Sequence, residues 1–311
     1  MSRSTAGERD PVPASRSASG HWRGAALLVV TVTLLAGCAT VDSRPSPARV
    51  ATPGPTPLPD PSAATDRPTP TAEPTSAGAV YLALGDSITF GIGVPQPQRN
   101  GYVARVADAL ADAVPPIDET RVFAVPGETA TGFLDRRLDD VVRAIDELGP
   151  RVGLVTIGLG ANELLRTRRE PACADRASDA CAALVGTATA EAAASLHAIV
   201  AGVQSALAAS GASDARVLLL AYYNPEAGDL VATSVAGADD VVGCDPQDPE
   251  PGLDDRIACV AEARGVELVD LYAAFLGREQ ELTRIARGDV HPNAAGYQLI
   301  ADTILATLAP P

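Results

Sequence analysis

Ala79-Val80-Tyr81-Leu82-Ala83-Leu84-Gly85-Asp86-Ser87-Ile88-Thr89 is the stretch from which the fold can be read. Its first six residues are apolar without alternation, the pattern of a strand covered on both faces, and Gly-Asp-Ser then carries the chain out of the sheet. Open α/β folds build their sites at such strand ends. A hydroxyl placed there makes Ser87 a candidate nucleophile. A serine in that role needs a base, a group that orients the base, and donors for an oxyanion.

Four further runs read as strands of the same buried kind: Arg121–Val125, Val152–Ile157, Val217–Tyr222 and Val266–Leu271. Helical spacing fills the gaps between them. Tyr102, Val106 and Leu110 recur every four residues, and Leu134, Leu138, Val141, Val142, Ile145 and Leu148 form a stripe that Gly149-Pro150 stops. An Ala-rich helix is expected from about Thr187 to Ser210, and a last one from Ala294 to Leu308. Alternating strands and helices imply one parallel sheet with helices on both faces and right-handed crossovers. Two long connections, Leu164–Val185 and Asn224–Leu253, are placed to shape a site.

Polar or glycine positions follow the strands, and parallel strand ends converge on one crevice. Ser87 follows the first strand, Gly127 the second and Asn162 the third, while His291 lies in the loop after the fifth. Histidine titrates nearest neutral pH and is the natural base for a serine. Downstream of the N-terminal leader the chain holds only His197 and His291. His197 sits mid-helix in an Ala-rich segment, a bland setting, so His291 is the candidate base. Backbone N–H groups of Ser87 and Gly127 and the side-chain amide of Asn162 are the candidate oxyanion donors. Asp86 reads as a cap for backbone N–H groups, and Arg166, Arg168 and Arg169 as a solvated charge run. Gly91 and Gly93 lack the third glycine and acidic partner of a dinucleotide loop.

Taken together, Gly85-Asp86-Ser87, Gly127, Gly160-Ala161-Asn162-Glu163 and His291-Pro292 resemble the four ordered blocks of the SGNH or GDSL family of serine esterases, lipases and acyl hydrolases. The likeness runs over roughly residues 79–309. Val125-Pro126-Gly127-Glu128-Thr129 and Tyr222-Tyr223-Asn224-Pro225 are similar to the exported, lipoprotein-like members. The resemblance implies a three-layer α/β/α, flavodoxin-like fold with a five-stranded parallel sheet, a covalent acyl-enzyme, and no metal or other cofactor. It implies a small-molecule or glycan ester as substrate, with a glycan O-deacetylase or a thioesterase as variants on the same fold.

Two positions depart from the pattern. Glu163 replaces the usual Asp after the Asn, a mild change because that carboxylate is not among the family's catalytic groups. The family's acid lies three residues before the histidine, where this chain has Gly288; the adjacent carboxylate is Asp289, two before it. Residues two apart in extended backbone project to the same side, so Asp289 can reach the imidazole. The alternative is a backbone carbonyl orienting the ring. A decayed, purely binding surface protein is the reading that Gly288 favours.

The N-terminal quarter is of another kind. Gly24–Ala36 is apolar, follows Arg16 and Arg23, and is short for a bilayer span, as in a signal-peptide core. It ends in Leu35-Ala36-Gly37-Cys38, which resembles the bacterial lipobox, so residues 1–37 read as a lipoprotein signal peptide and Cys38 as the lipidated residue. The alternatives are a plain secretory signal with a chance Cys and a short anchor. Residues 38–78 are rich in Pro, Thr, Ser and Ala, cannot bury enough surface to offset their ordering entropy, and read as a tether. The expected location is the outer face of the cytoplasmic membrane, with residues 79–311 as the hydrolase domain.

The net charge of −15 falls on that domain, because residues 1–78 hold six acidic and seven basic side chains. Such a surface argues against nucleic acid and against electrostatic docking on anionic lipid. Four cysteines remain besides Cys38: Cys173, Cys181, Cys244 and Cys259. In an exported protein they suggest two disulfides, and the local pairing Cys173–Cys181 with Cys244–Cys259 is the simplest of three connectivities. A zinc site is the weaker reading, given the spacings and the scarcity of histidine.

Overall fold

The computed structural model describes residues 78–224, 235, 242–245 and 251–309. The chain divides into two units, Met1–Thr69 and Pro70–Pro311, and all described residues belong to the second. The segments expected to be a signal peptide and a tether, with Cys38 between them, lie outside the described residues up to residue 77.

Five parallel strands form the central sheet: β1 (Ala79–Gly85), β2 (Ile117–Ala124), β3 (Val152–Gly158), β4 (Arg216–Leu220) and β5 (Glu267–Val269), in the spatial order β2-β1-β3-β4-β5. β1 is buried over its whole length. Its side chains alternate between two cores. Val80, Leu82 and Leu84 meet one set of helices, α3 (Ala130–Arg136), α4 (Leu138–Leu148), α6 (Asp179–Ala209) and α7 (Leu253–Arg264), through residues such as Phe133, Ile145, Leu196 and Ile257. Tyr81 and Ala83 face α2 (Tyr102–Ala109) and α8 (Ala294–Leu308), through Val106, Ile300 and Ile304. This is a three-layer α/β/α arrangement. Its strand order reverses between β1 and β3, the place where open α/β sheets leave a crevice. Two short helices, α1 (Ser87–Phe90) and α5 (Ala161–Thr167), leave the sheet at the ends of those two strands.

Several boundaries differ from expectation for identifiable reasons. β2 begins four residues early because it is an edge strand with alternating exposure, and Asp118, Glu119 and Thr120 break its apolar run. The stripe from Leu134 to Leu148 is two helices, not one: Thr129 caps α3 through the Gly132 N–H, and backbone at Arg137 (φ −129°, ψ −20°) leaves the helical region before α4 starts. α6 begins eight residues early, where the Ser178 side chain accepts from the Cys181 N–H. α7 and a two-stranded antiparallel hairpin, β6 (Thr283–Arg284) with β7 (Asp289–Pro292), carry no strong periodicity and are not anticipated by the sequence patterns. His291 therefore stands in a strand and not in a loop.

Both disulfides take the local pairing, Cys173–Cys181 and Cys244–Cys259. The first closes the connection before α6, and the second ties the connection before α7 to that helix. These thiols are consumed, which removes the zinc reading.

Candidate active site

The nucleophile turn is built by exclusion and by capping. A Cβ on Gly85 would lie 2.0 Å from Thr89 Oγ1 and 2.8 Å from the Gly158 carbonyl, so only glycine lets the chain turn this tightly off β1. Asp86 then caps α1, accepting from the Ile88 N–H at 2.9 Å. Ser87, the first helical residue, is left at the mouth of the crevice.

His291 arrives from the other side on β7. Its Nε2 lies 2.9 Å from Ser87 Oγ. Its Nδ1 lies 2.6 Å from Asp289 Oδ1, and the same oxygen accepts from the His291 backbone N–H at 3.1 Å. The one-residue shift in the acid has a backbone cause. Gly288 ends a short helical turn in the left-handed region at φ 72°, a conformation that suits glycine, and extended backbone begins only at Asp289. The carboxylate thus leaves β7 on the same side as the imidazole. Burial raises the Asp289 carboxyl, but the bonds from His291, its charge and that of Arg284 outweigh burial and hold it below its ordinary value.

Three contacts fix this hairpin. Arg284 forms an ion pair with Asp289 Oδ2 at 3.1 Å and donates to the Gly93 carbonyl at 2.8 Å. Tyr223 OH donates to the Val290 carbonyl at 2.8 Å. Gly93 itself touches the hairpin: a Cβ there would lie 2.4 Å from the Pro292 carbonyl and 3.2 Å from His291 Cβ.

Gly127 follows β2 in a turn closed by the Glu128 N–H on the Val125 carbonyl, and it needs φ +79° while a Cβ would meet nothing within 4 Å. The demand on glycine here is conformational, not steric. Arg166 donates to the Gly127 carbonyl at 2.7 Å, so it is a bound side chain and not part of a merely solvated run; Arg168 borders the crevice. Asn162, in the first turn of α5, brings its amide to the same rim. Its Nδ2 donates to the Glu128 carbonyl at 2.9 Å and to Asp86 Oδ2 at 3.2 Å. Glu128 is in turn held by Arg136 at 2.6 Å and Arg137 at 3.0 Å.

Asp86 is 1 % exposed, and Tyr222 OH also donates to its Oδ2 at 2.9 Å. Burial pushes the carboxyl up to about 6 in spite of the bonds from Ile88 and Tyr222. The cleft beside Ser87 is mostly apolar, with Ile88, Leu164, Leu165, Leu253 and Val290 in its walls. No group of three or more His, Cys, Asp or Glu side chains placed to hold a metal occurs among the described residues. His197 is exposed on α6.

The structure thus gathers Ser87, His291, Asp289, Gly127 and Asn162 at one sheet edge. Sequence reasoning missed Arg284 and Tyr223, and it gave Asp86 only a capping role. A profile described as the GDSL-like Lipase/Acylhydrolase family matches residues 83–299. The chain belongs to the GDSL-like lipase/acylhydrolase family. As a GDSL-like protein it is a serine ester hydrolase. No curated protein matches it. Among solved structures, the lipase Lip_vut3 from a goat rumen metagenome is 21% identical with a TM-score of 0.55, over 74% of this chain and 97% of that one. Axe2, an acetylxylan esterase from Geobacillus stearothermophilus, is 20% identical with a TM-score of 0.48, over 75% and 96%. The esterase EstA from Pseudoalteromonas sp. is 22% identical with a TM-score of 0.44, over 74% and 96%. At such identities the likeness to Lip_vut3 speaks for the fold alone.

Glu163, the other departure from the family pattern, has a measurable consequence. It is buried beside Asn162, its Oε1 accepts from the Thr131 N–H at 3.3 Å, and its Oε2 has no partner among the described residues. Burial pushes the carboxyl from 4.5 up to about 6. A folded-state value above the unfolded one favours folding fully below pH 4.5, and that contribution is lost as pH rises through about 6. Glu163→Gln is therefore expected to be more stable than the parent at pH 8 by about 1 to 2 kcal/mol. That is about 2 to 8 °C in Tm for a domain of this size. The gain should vanish near pH 4. Thermal melts at both pH values check it, and an equal difference at both would refute the linkage.

Proposed function

We propose that the protein is an extracytoplasmic serine esterase that hydrolyses a carboxylic ester through Ser87, His291 and Asp289. The observation that carries this reading is the unbroken line from Ser87 Oγ to His291 Nε2 and from His291 Nδ1 to Asp289 Oδ1, at 2.9 and 2.6 Å. An anionic carboxylate on Nδ1 keeps the proton there and leaves Nε2 free to accept.

In acylation, Nε2 takes the Ser87 hydroxyl proton as Oγ bonds to the ester carbon. The oxyanion is received by the N–H groups of Ser87 and Gly127 and by the Asn162 amide. Collapse breaks the bond to the alcohol oxygen, which leaves with the proton from Nε2. In deacylation a water molecule repeats the attack, giving its proton to Nε2, and the carboxylic acid departs as Ser87 regains its proton. The apolar walls of the cleft suit an aliphatic arm of the ester better than a glycan.

Two local disulfides agree with an oxidising compartment. With the apolar leader and Leu35-Ala36-Gly37-Cys38, they support export and lipid anchoring at Cys38, with the Pro-rich segment as tether. A fluorophosphonate probe tests the core of the reading. One adduct per chain is expected, located on Ser87 by peptide mass spectrometry, because only an activated hydroxyl attacks phosphorus at a useful rate. Absence of labelling, or labelling elsewhere, would overturn it.

A further inference from the structure

The mechanism above uses the Asn162 amide but leaves the groups that aim it without a role. A side-chain amide presents two N–H donors on one side and a carbonyl on the other, and the two ends have nearly the same shape. Which end faces the nucleophile is decided by its neighbours. Here both neighbours of Nδ2 are acceptors: the Glu128 carbonyl at 2.9 Å and Asp86 Oδ2 at 3.2 Å. An amide turned the other way would set its oxygen against two oxygens in a buried site.

We propose that Asp86 is a positioning residue for the oxyanion hole, holding the Asn162 amide with its nitrogen toward Ser87, with Tyr222 as its partner. The assignment rests on the esterase reading, because it concerns the same site. Asp86 is adjacent to Ser87 in the chain and is fixed by its own cap on the Ile88 N–H, so the carboxylate and the nucleophile move as one unit. The two bonds on Nδ2 are unequal. The Glu128 carbonyl holds one hydrogen closely, whereas the hydrogen toward Asp86 makes the longer bond and is the one an oxyanion forming on the Ser87 adduct would draw.

Tyr222 makes that exchange affordable. Its hydroxyl already donates to the same Oδ2 at 2.9 Å, so the buried oxygen keeps a partner when the Asn162 hydrogen turns away. Capping alone explains Oδ1, which takes the Ile88 N–H. It does not explain why Oδ2 gathers a tyrosine from the end of β4 and an amide from α5.

A double-mutant cycle separates this role from simple support of the nucleophile turn. Asp86→Asn keeps the shape and the cap while losing the charge, and it is measured in the parent and in an Asn162→Ala background. Removing an oxyanion donor costs about 100- to 1000-fold in kcat, so Asp86→Asn is expected to lower kcat about 10- to 100-fold with KM within about threefold. In the Asn162→Ala background the same change should cost under about threefold, since no amide remains to be aimed. Tyr222→Phe, a one-atom deletion, should show the same background dependence with a smaller loss. It carries the test if Asp86→Asn does not fold.

An equal loss in both backgrounds, or a loss under about threefold in the parent, would overturn the proposal. Fluorophosphonate labelling of the same variants keeps the two readings apart. Labelling at Ser87 with additive losses defeats the positioning role alone, whereas no labelling in the parent defeats the esterase reading itself.

Discussion

Replacing Ser87 with alanine is expected to lower kcat/KM on a short-chain p-nitrophenyl ester by about 10,000-fold or more, which is the scale of loss when a serine nucleophile is removed. Ser87 Oγ is the atom on which the imidazole, the strand end and the oxyanion donors converge, so its removal leaves a base with nothing to activate and an oxyanion site with no adduct. Residual activity should come from binding and electrostatics alone. The fold should survive, because the hydroxyl faces the crevice and the turn is held by Gly85 and Asp86. Equal rates for the variant and the parent would remove Ser87 from the chemistry.

The second large effect is expected at Asp289. Asp289→Asn places an amide opposite Nδ1, which favours the wrong tautomer, and Asp289→Ala leaves the ring without an orienting anion; both are expected to lose about 100- to 10,000-fold in kcat/KM. The range lies below that for Ser87 because the carboxylate is partly open to solvent, with its side chain 31% exposed. A loss under about tenfold would exclude Asp289 from the triad and return the orienting role to backbone.

The features easiest to read from the sequence were those carried by one local pattern. β1 and β3 are near-continuous apolar runs, with Thr156 the one polar side chain, because both faces are covered, and Ser87, Gly127 and Asn162 stand out because they follow strand ends, where open α/β sheets build their sites. The hairpin β6–β7 was not legible. It contains only six paired or flanking residues in its two strands, Thr283–Arg284 and Asp289–Pro292, and its register is set by Gly288 and by contacts with Gly93, which is far away in the chain. α7 was hidden because Asp254 and Asp255 look like loop residues. In the fold Asp254 accepts from the Tyr222 N–H, and Asp255 from the Gly252 N–H. The same holds for Asp86, whose second oxygen finds its partners only after β4 and α5 are in place.

Gly93 has a further implication. There the main chain after the nucleophile lies directly against the strand carrying the base, with no side chain between them, so the separation of the two reacting groups is set by peptide backbone. Accumulating substitutions in the neighbouring walls can reshape what the enzyme accepts without retuning that separation. Selection on substrate range and selection on reactivity therefore act on different parts of the molecule, and relatives should diverge in the first while keeping the second.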